Sequence, residues 1–291
     1  MSTINQGLMD FVSLFNDSQK NQYALTIDGF DINEQLSVFS LNGVESLNQP
    51  WQYIVSFTCQ NKQIDINSVL TKPASLTFLP HNSLPKQLSQ FSEFALTEKA
   101  KTLYGVITEF SLLSISKDEA RYQVKLEPRL ALLANHHQSA IYQNQSVIDV
   151  VEEVLRNHGF TGIDYRLELK DAYPIREFIT QWQESDLTFI QRLLADVGIW
   201  FRFETHPKHN CDVVVISDYE QGYENVGNIA LKPPSGMNDS QQNSIWNLQF
   251  SSRTKPKQVS VNDYNYRSAS IMEIWQRITD SIRIRESSFE N

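Results

Sequence analysis

A chain of 291 residues with a formal net charge of −9 is longer than one typical domain and carries the wrong sign for a broad electrostatic grip on nucleic acid, so two domains and no nucleic-acid partner are expected. Hydrophobic residues at 41% suffice for packed cores, while a charged fraction of only 20% with abundant Asn, Gln, Ser and Thr suits β surfaces and assembly interfaces better than helical bundles. No run is long and apolar enough to cross a bilayer, and residues 1–20 lack the basic start and apolar core of an export signal, so a soluble chain without stable membrane insertion is expected. The two cysteines, Cys59 and Cys211, lie far apart without zinc-ligand spacing, and their scarcity suits a reducing cytoplasm.

Leu8, Met9, Phe11, Val12 and Phe15 give residues 1–22 the look of an amphipathic leader, either a docked helix or a disordered segment. From Tyr23 the period changes to two. Strands are predicted at 23–27, 36–41 and 53–59, the last alternating Tyr53, Val55, Phe57 and Cys59 against Ile54, Ser56 and Thr58. Pro73, Pro80 and Pro85 punctuate a strand at 74–79 and an exposed loop at 81–92. Residues 103–115 and 121–127 form a hairpin through Lys117-Asp118, followed by Pro128. Many short strands with almost no helix predict an antiparallel barrel or sandwich over 23–135.

The signals agree best between Ile141 and Glu204. Ser146 is an N-cap with Asp149 in the first turn, Val147, Val151, Val154 and Leu155 make one apolar face, and Gly159 stops the helix. Ile163, Tyr165, Leu167 and Leu169 alternate as a strand, closed by a turn at Tyr173-Pro174, and a second strand follows at 176–182. Ser185 caps a second helix with Asp186 at its positive end and a stripe of Leu187, Ile190, Leu193, Leu194 and Val197, stopped by Gly198. Strands at 199–203 and 212–217 pair across a loop at 206–210. The expected second domain, 136–232, is thus β structure carrying two helices. Residues 233–244 read as a linker, 246–250 and 258–261 as strands, and 270–284 as a helix through Ile271, Ile274, Trp275 and Ile278. Residues 245–266 are expected to complete the first barrel, and 267–291 have no assigned role.

No short nucleophile, zinc-protease or phosphate-loop motif occurs. His206 and His209, with Cys211 and Asp212, are a candidate metal group at a hairpin tip, though the plainer reading is a solvated loop. His136 and His137 are adjacent and face opposite ways in an extended chain. Glu184 and Asp186 could pose as the carboxylate pair of a carbohydrate-active enzyme, but two acids at a helix start are accounted for by the helix dipole. Trp182, Trp200, Phe201 and Phe203 could stack sugars or bases, yet aromatics alternating in strands more often form core and interface.

The segment 173–204 resembles the signature of the VgrG spike proteins of type VI secretion. Tyr173, Pro174, Arg176, Glu177, Gln183, Glu184, Ser185, Asp186, Leu187, Phe189, Arg192, Leu193, Gly198 and Ile199 stand at matching positions. Upstream, Tyr104-Gly105-Val106-Ile107, Glu127-Pro128-Arg129-Leu130 and Ile141-Tyr142-Gln143-Asn144 are similar to family elements, as is Asp263-Tyr264-Asn265-Tyr266 downstream. Ala140 stands in place of the usual arginine and Asn265 in place of an aspartate, and the family's further hub barrel and trimeric needle are not in this sequence. The resemblance implies a mainly β (α+β) fold with two antiparallel β-barrel-like domains, similar to the contractile-phage baseplate hub. It also implies a homotrimer that meets the sixfold Hcp tube, baseplate and effector or adaptor partners, and no catalytic, cofactor or metal residues. The expected location is the cytoplasm during assembly, followed by secretion or injection into target cells through the type VI apparatus. The tail hub of a contractile prophage is the alternative reading.

Overall fold

Period-two alternation in the first half folds into six antiparallel strands. The computed structural model describes residues 23–29, 36–79, 101–219, 229–231, 244–245, 248–252, 254, 258–264 and 272–278. The expected leader at 1–22, the loop at 81–92 and the linker at 233–243 lie outside the described residues. Strands β1 (Tyr23–Ile27), β2 (Ser37–Val44), β3 (Gln52–Cys59), β4 (Pro73–Phe78), β5 (Lys101–Ile115) and β6 (Ala120–Glu127) form a sheet in the order β1-β4-β5-β6-β3-β2. Along β6, Ala120, Tyr122, Val124 and Leu126 are buried while Arg121, Gln123, Lys125 and Glu127 face outwards, the signature of a sheet with one covered face. Irregular register in β5, between Ile107 and Glu109 and again between Leu112 and Ser114, adds local twist and curls the sheet around Val55, Phe57, Leu76 and Ile107.

Pro128 ends β6 and a 3-10 segment, Arg129–Asn135, leads into β7 (His137–Gln145), α1 (Val147–Asn157), β8 (Tyr165–Glu168), β9 (Arg176–Ser185), α2 (Asp186–Asp196), β10 (Trp200–Thr205) and β11 (Asp212–Ser217). Both helices follow the local rules. Ser146 and Asp149 form a reciprocal capping box, Ser185 accepts from the Thr188 N–H, and Gly159 (φ +73) and Gly198 (φ +75) take the left-handed conformation that ends each helix. Val147, Val150, Val151, Val154 and Leu155 of α1 pack with Phe189, Ile190, Leu193 and Leu194 of α2 over the strands.

Here β7 and β9 form a two-stranded antiparallel ribbon, and β10 pairs with β11 as expected. Within this half, one pair departs from the antiparallel pattern: β8 runs parallel to β11. The chain passes through β9, α2 and β10 before reaching β11, and only a crossover of that length permits parallel pairing.

The two cores belong to one compact unit, residues 1–226. Phe203 packs against both. Asn48, in a turn of the first sheet with φ 63, accepts from the Phe201 N–H at 2.8 Å and donates its own N–H to the Phe201 carbonyl at 3.2 Å. The Gln191 amide donates to the Asn48 carbonyl at 2.9 Å, and the Thr205 hydroxyl donates to the Thr102 carbonyl at 2.8 Å.

In the second unit, 227–291, β12 (Ala230–Leu231) pairs in parallel with β13 (Ser244–Ile245), and β14 (Gln258–Tyr264) pairs with β15 (Met272–Ile278) in antiparallel fashion. The helix expected at 270–284 is therefore corrected to a strand over Met272–Ile278. Met272, Ile274, Gln276 and Ile278 fit period two as well as the isoleucines fit period 3.6, and pairing with β14 decides between them. Residues 248–250 of the strand expected at 246–250 have no regular structure.

Gly105 is set where β5 passes the end of β6. A Cβ there would lie 2.3 Å from the Glu127 carbonyl oxygen and 2.8 Å from the Trp51 ring. Gly105→Ala is expected to cost about 1–3 kcal/mol or more through this overpacking, read as a lower urea midpoint.

Candidate functional site

The start of α2 gathers more polar chemistry than any other buried point among the described residues. Asp186 is 1% exposed. Its Oδ2 meets His136 Nδ1 at 2.8 Å and His158 Nε2 at 2.6 Å, while its Oδ1 accepts from the amides of Gln138 at 2.8 Å and Gln181 at 2.7 Å. Its backbone N–H donates to the His136 carbonyl at 2.9 Å. Burial alone drives this carboxyl upward, but the hydrogen bonds from Gln181, His158, Gln138 and His136 outweigh it and hold Asp186 below the ordinary 3.8. The donors come from both ribbon strands, from the residue that ends the 3-10 segment, and from the cap of α1. One carboxylate thus ties together the ribbon and both helices.

The other signature residues extend this fastening. Glu184 and Arg192 form a two-pronged ion pair, with Nε at 3.2 Å and Nη2 at 2.5 Å, and Arg192 also donates to the Thr180 carbonyl at 2.9 Å. Phe189 is fully buried and stacks on Tyr142 at 5.6 Å. Arg176 lies 3.6 Å from Asp196, and the Tyr173 hydroxyl donates to Asp218 at 3.0 Å. Gln183 takes a positive φ of 49 and donates its N–H to Ser139, accommodating the ribbon's irregular register. Glu177 and Pro174, at or just before the start of β9, are exposed. Glu184 and Asp186, the carboxylates a glycosidase reading would require, are each engaged in these bonds.

With its inner face held, the ribbon turns an apolar outer face to solvent. Phe178, Thr180 and Trp182 alternate along β9, and Ile141 stands opposite Thr180. Ile141, Phe178 and Trp182 are 67%, 64% and 69% exposed. The other aromatics singled out in the sequence go elsewhere: Trp200 and Phe201 are buried, and Phe203 lies between the cores.

At the hairpin tip, the His206 and His209 rings lie 4.4 Å apart, but His206 Nδ1 accepts the backbone N–H groups of Lys208 and His209. Among the described residues, the histidines and carboxylate that converge are instead His136, His158 and Asp186. His136 does part company with His137, as adjacent strand residues must; its partner is twenty-two positions on, and no spacing rule links a strand entry to a helix cap. A separate cleft of about 550 Å³, lined by Glu45, Trp51, Tyr104, Phe203 and Asp212, opens between the two cores. Asp212 accepts from the Arg129 N–H at 3.3 Å, and burial pushes its carboxyl up to about 6.

Residues 44–273 match the phage tail baseplate hub (GPD) family. The chain belongs to that family. This hub chain is 27% identical over 229 residues to the type VI secretion system spike protein VgrG4b of Pseudomonas aeruginosa, covering 78% of the chain and 25% of the relative. It is 27% identical over 253 residues to VgrG1b of the same organism, covering 85% and 31%. The actin cross-linking toxin VgrG1 of Vibrio cholerae is 26% identical over 181 residues, covering 62% and 16%. Among solved structures, the E. coli c3393 protein, described as a component of the type VI secretion system with structural similarity to the T4 tail proteins gp27 and gp5, superposes with a TM-score of 0.59. It is 41% identical, covering 72% of the hub chain and 52% of that protein. The hub chain therefore spans about a quarter to a third of the curated spike proteins. It is a VgrG-like hub region with a mainly β fold, and this kinship supports a structural role of the spike and hub type.

Two replacements in this hub chain separate the acids. Asp186→Ala strands buried amide donors and is expected to cost at least about 2 kcal/mol, whereas Glu184→Gln, at a partly exposed pair, costs about 1 kcal/mol or less; urea unfolding measures both.

Asp212 has the opposite linkage. Its folded value of about 6 lies above the unfolded 3.8, so the folded state binds more protons between them and stability falls as pH rises through that window. Asp212→Asn should abolish this fall and leave the variant at least as stable as the parent at pH 7, read from urea midpoints at a series of pH values.

Proposed function

We propose that the chain forms the trimeric hub of a type VI puncturing spike, seated on the Hcp tube. The observation that carries this reading is the ribbon face of Ile141, Phe178 and Trp182, exposed in the single chain yet backed by a buried network that fixes its shape. Exposed contiguous apolar side chains on a rigid support mark an assembly surface. In a closed threefold ring the contacts are heterologous, so one copy's ribbon meets a different surface of its neighbour.

The chain's two cores suit the symmetry problem such a hub faces. Three copies with two barrel-like halves each present six similar units, which match a sixfold ring. On this reading the halves divide near residue 135, the chain assembles in the cytoplasm, leaves through the type VI apparatus, and meets baseplate and effector or adaptor proteins on the way. Its acids Glu184 and Asp186 serve packing, and the chain performs no catalysis. The phage tail baseplate family equally accommodates a contractile prophage hub; the 41% identity to a type VI component favours the spike.

Sedimentation of the chain, alone and with Hcp rings, checks this. The parent is expected to trimerise and bind the rings, and a Phe178→Glu/Trp182→Glu chain to associate at least tenfold more weakly. Equal association of the two would remove the ribbon face from the assembly.

A further inference from the structure

We propose that His136, His158 and Asp186 form a binding site for a divalent cation of the zinc class. His136 Nδ1, His158 Nε2 and an Asp186 carboxylate oxygen lie within 4.8 Å of one another, and both imidazole nitrogens aim at the same atom, Oδ2. Two imidazoles and one carboxylate, from three separate elements, are the donor set zinc accepts, with a fourth position left for water. An all-oxygen shell for magnesium or calcium is not available here.

The surroundings are those of a ligand group. Oδ1 takes hydrogen bonds from the Gln138 and Gln181 amides at 2.8 and 2.7 Å. These fix the carboxylate's plane and leave Oδ2 for the ion, which is how outer partners orient metal-binding carboxylates. Gln181, fully buried, gives one amide hydrogen to Asp186 and leaves its Oε1 without a protein partner, so burial at this point is organised around the carboxylate rather than around the amide.

The separations define what binding requires. The hydrogen-bonded distances are 2.8 and 2.6 Å; neighbouring ligands of a tetrahedral zinc ion stand about 3.3 Å apart. The site must open by roughly half an ångström or slightly more on each side. His136 can provide this, because its side chain is 55% exposed and stands at the junction of the 3-10 segment and β7. His158, the C-cap of α1, is more enclosed at 24%. Binding replaces the two N–H···O bonds by two N–metal bonds; the proton on each ligating nitrogen passes to solvent or to the other nitrogen of its ring, and the ion pins α1, α2 and the ribbon through one centre.

The test is a zinc titration of the chelator-stripped chain by calorimetry, with cobalt substituted to read coordination from its visible absorption. One-to-one binding with a four-coordinate cobalt spectrum is expected. His158→Gln, whose amide can still donate to Asp186, and His136→Gln should each bind at least tenfold more weakly while retaining the parent's circular dichroism spectrum. His206→Ala/His209→Ala should bind as the parent does. The proposal is overturned by no stoichiometric binding to the parent, by equal binding to the His158→Gln and His136→Gln chains, or by binding that disappears with the hairpin histidines.

Discussion

A carboxylate placed inside a protein loses its water, and unless protein donors replace that water the charge is expelled or the fold gives way. Asp186 survives burial because four side chains reach it. They arrive from places that are distant in the chain: the start of β7, the end of α1 and the middle of β9. None of these elements could move away without leaving the charge under-solvated. The arrangement therefore converts an electrostatic demand into a geometric one, and the packing of α1, α2 and the ribbon follows from it.

The same constraint explains why the ribbon can carry an apolar outer face. Two strands alone are marginal in water, and β7 is a polar strand with little to hold it by burial. Its inner side chains, Tyr142 on Phe189 and Gln138 on Asp186, anchor it to α2. Ile141, Phe178 and Trp182 are then presented on a fixed surface rather than on a flexible hairpin that would collapse upon them. The Glu184–Arg192 pair and the Thr180 carbonyl that Arg192 also binds secure the other strand in the same way.

Much of this was legible in the residues themselves. The helix caps at Ser146 and Ser185 and the stops at Gly159 and Gly198 are local devices, and each could be placed from a few neighbouring residues. The six strands of the first half were readable because one covered face imposes alternation. β7 was not, since HQSAIYQNQ carries too few apolar side chains to show a period, and its strand character comes from β9. The helical spacing of Ile271, Ile274 and Trp275 misled for the converse reason: a short apolar run fits either period until its partner is known. Asp186 is a helix-dipole acid in sequence and in structure alike, but its contacts with His136 and His158 depend on tertiary folding and leave no trace in spacing. The aromatic set shows the same limit, as Trp182 and Trp200 look alike in sequence, yet Trp182 ends exposed and Trp200 buried.

The fastening between the two cores has its own thermodynamic consequence. Phe203 contributes apolar surface to both, and the Asn48 turn completes backbone hydrogen bonds with Phe201 that neither core can satisfy alone. Melting either core exposes part of the other and breaks those bonds, so the free energies of the two are coupled. The two hydrophobic centres are then expected to unfold together, in one cooperative transition whose calorimetric and van't Hoff enthalpies agree.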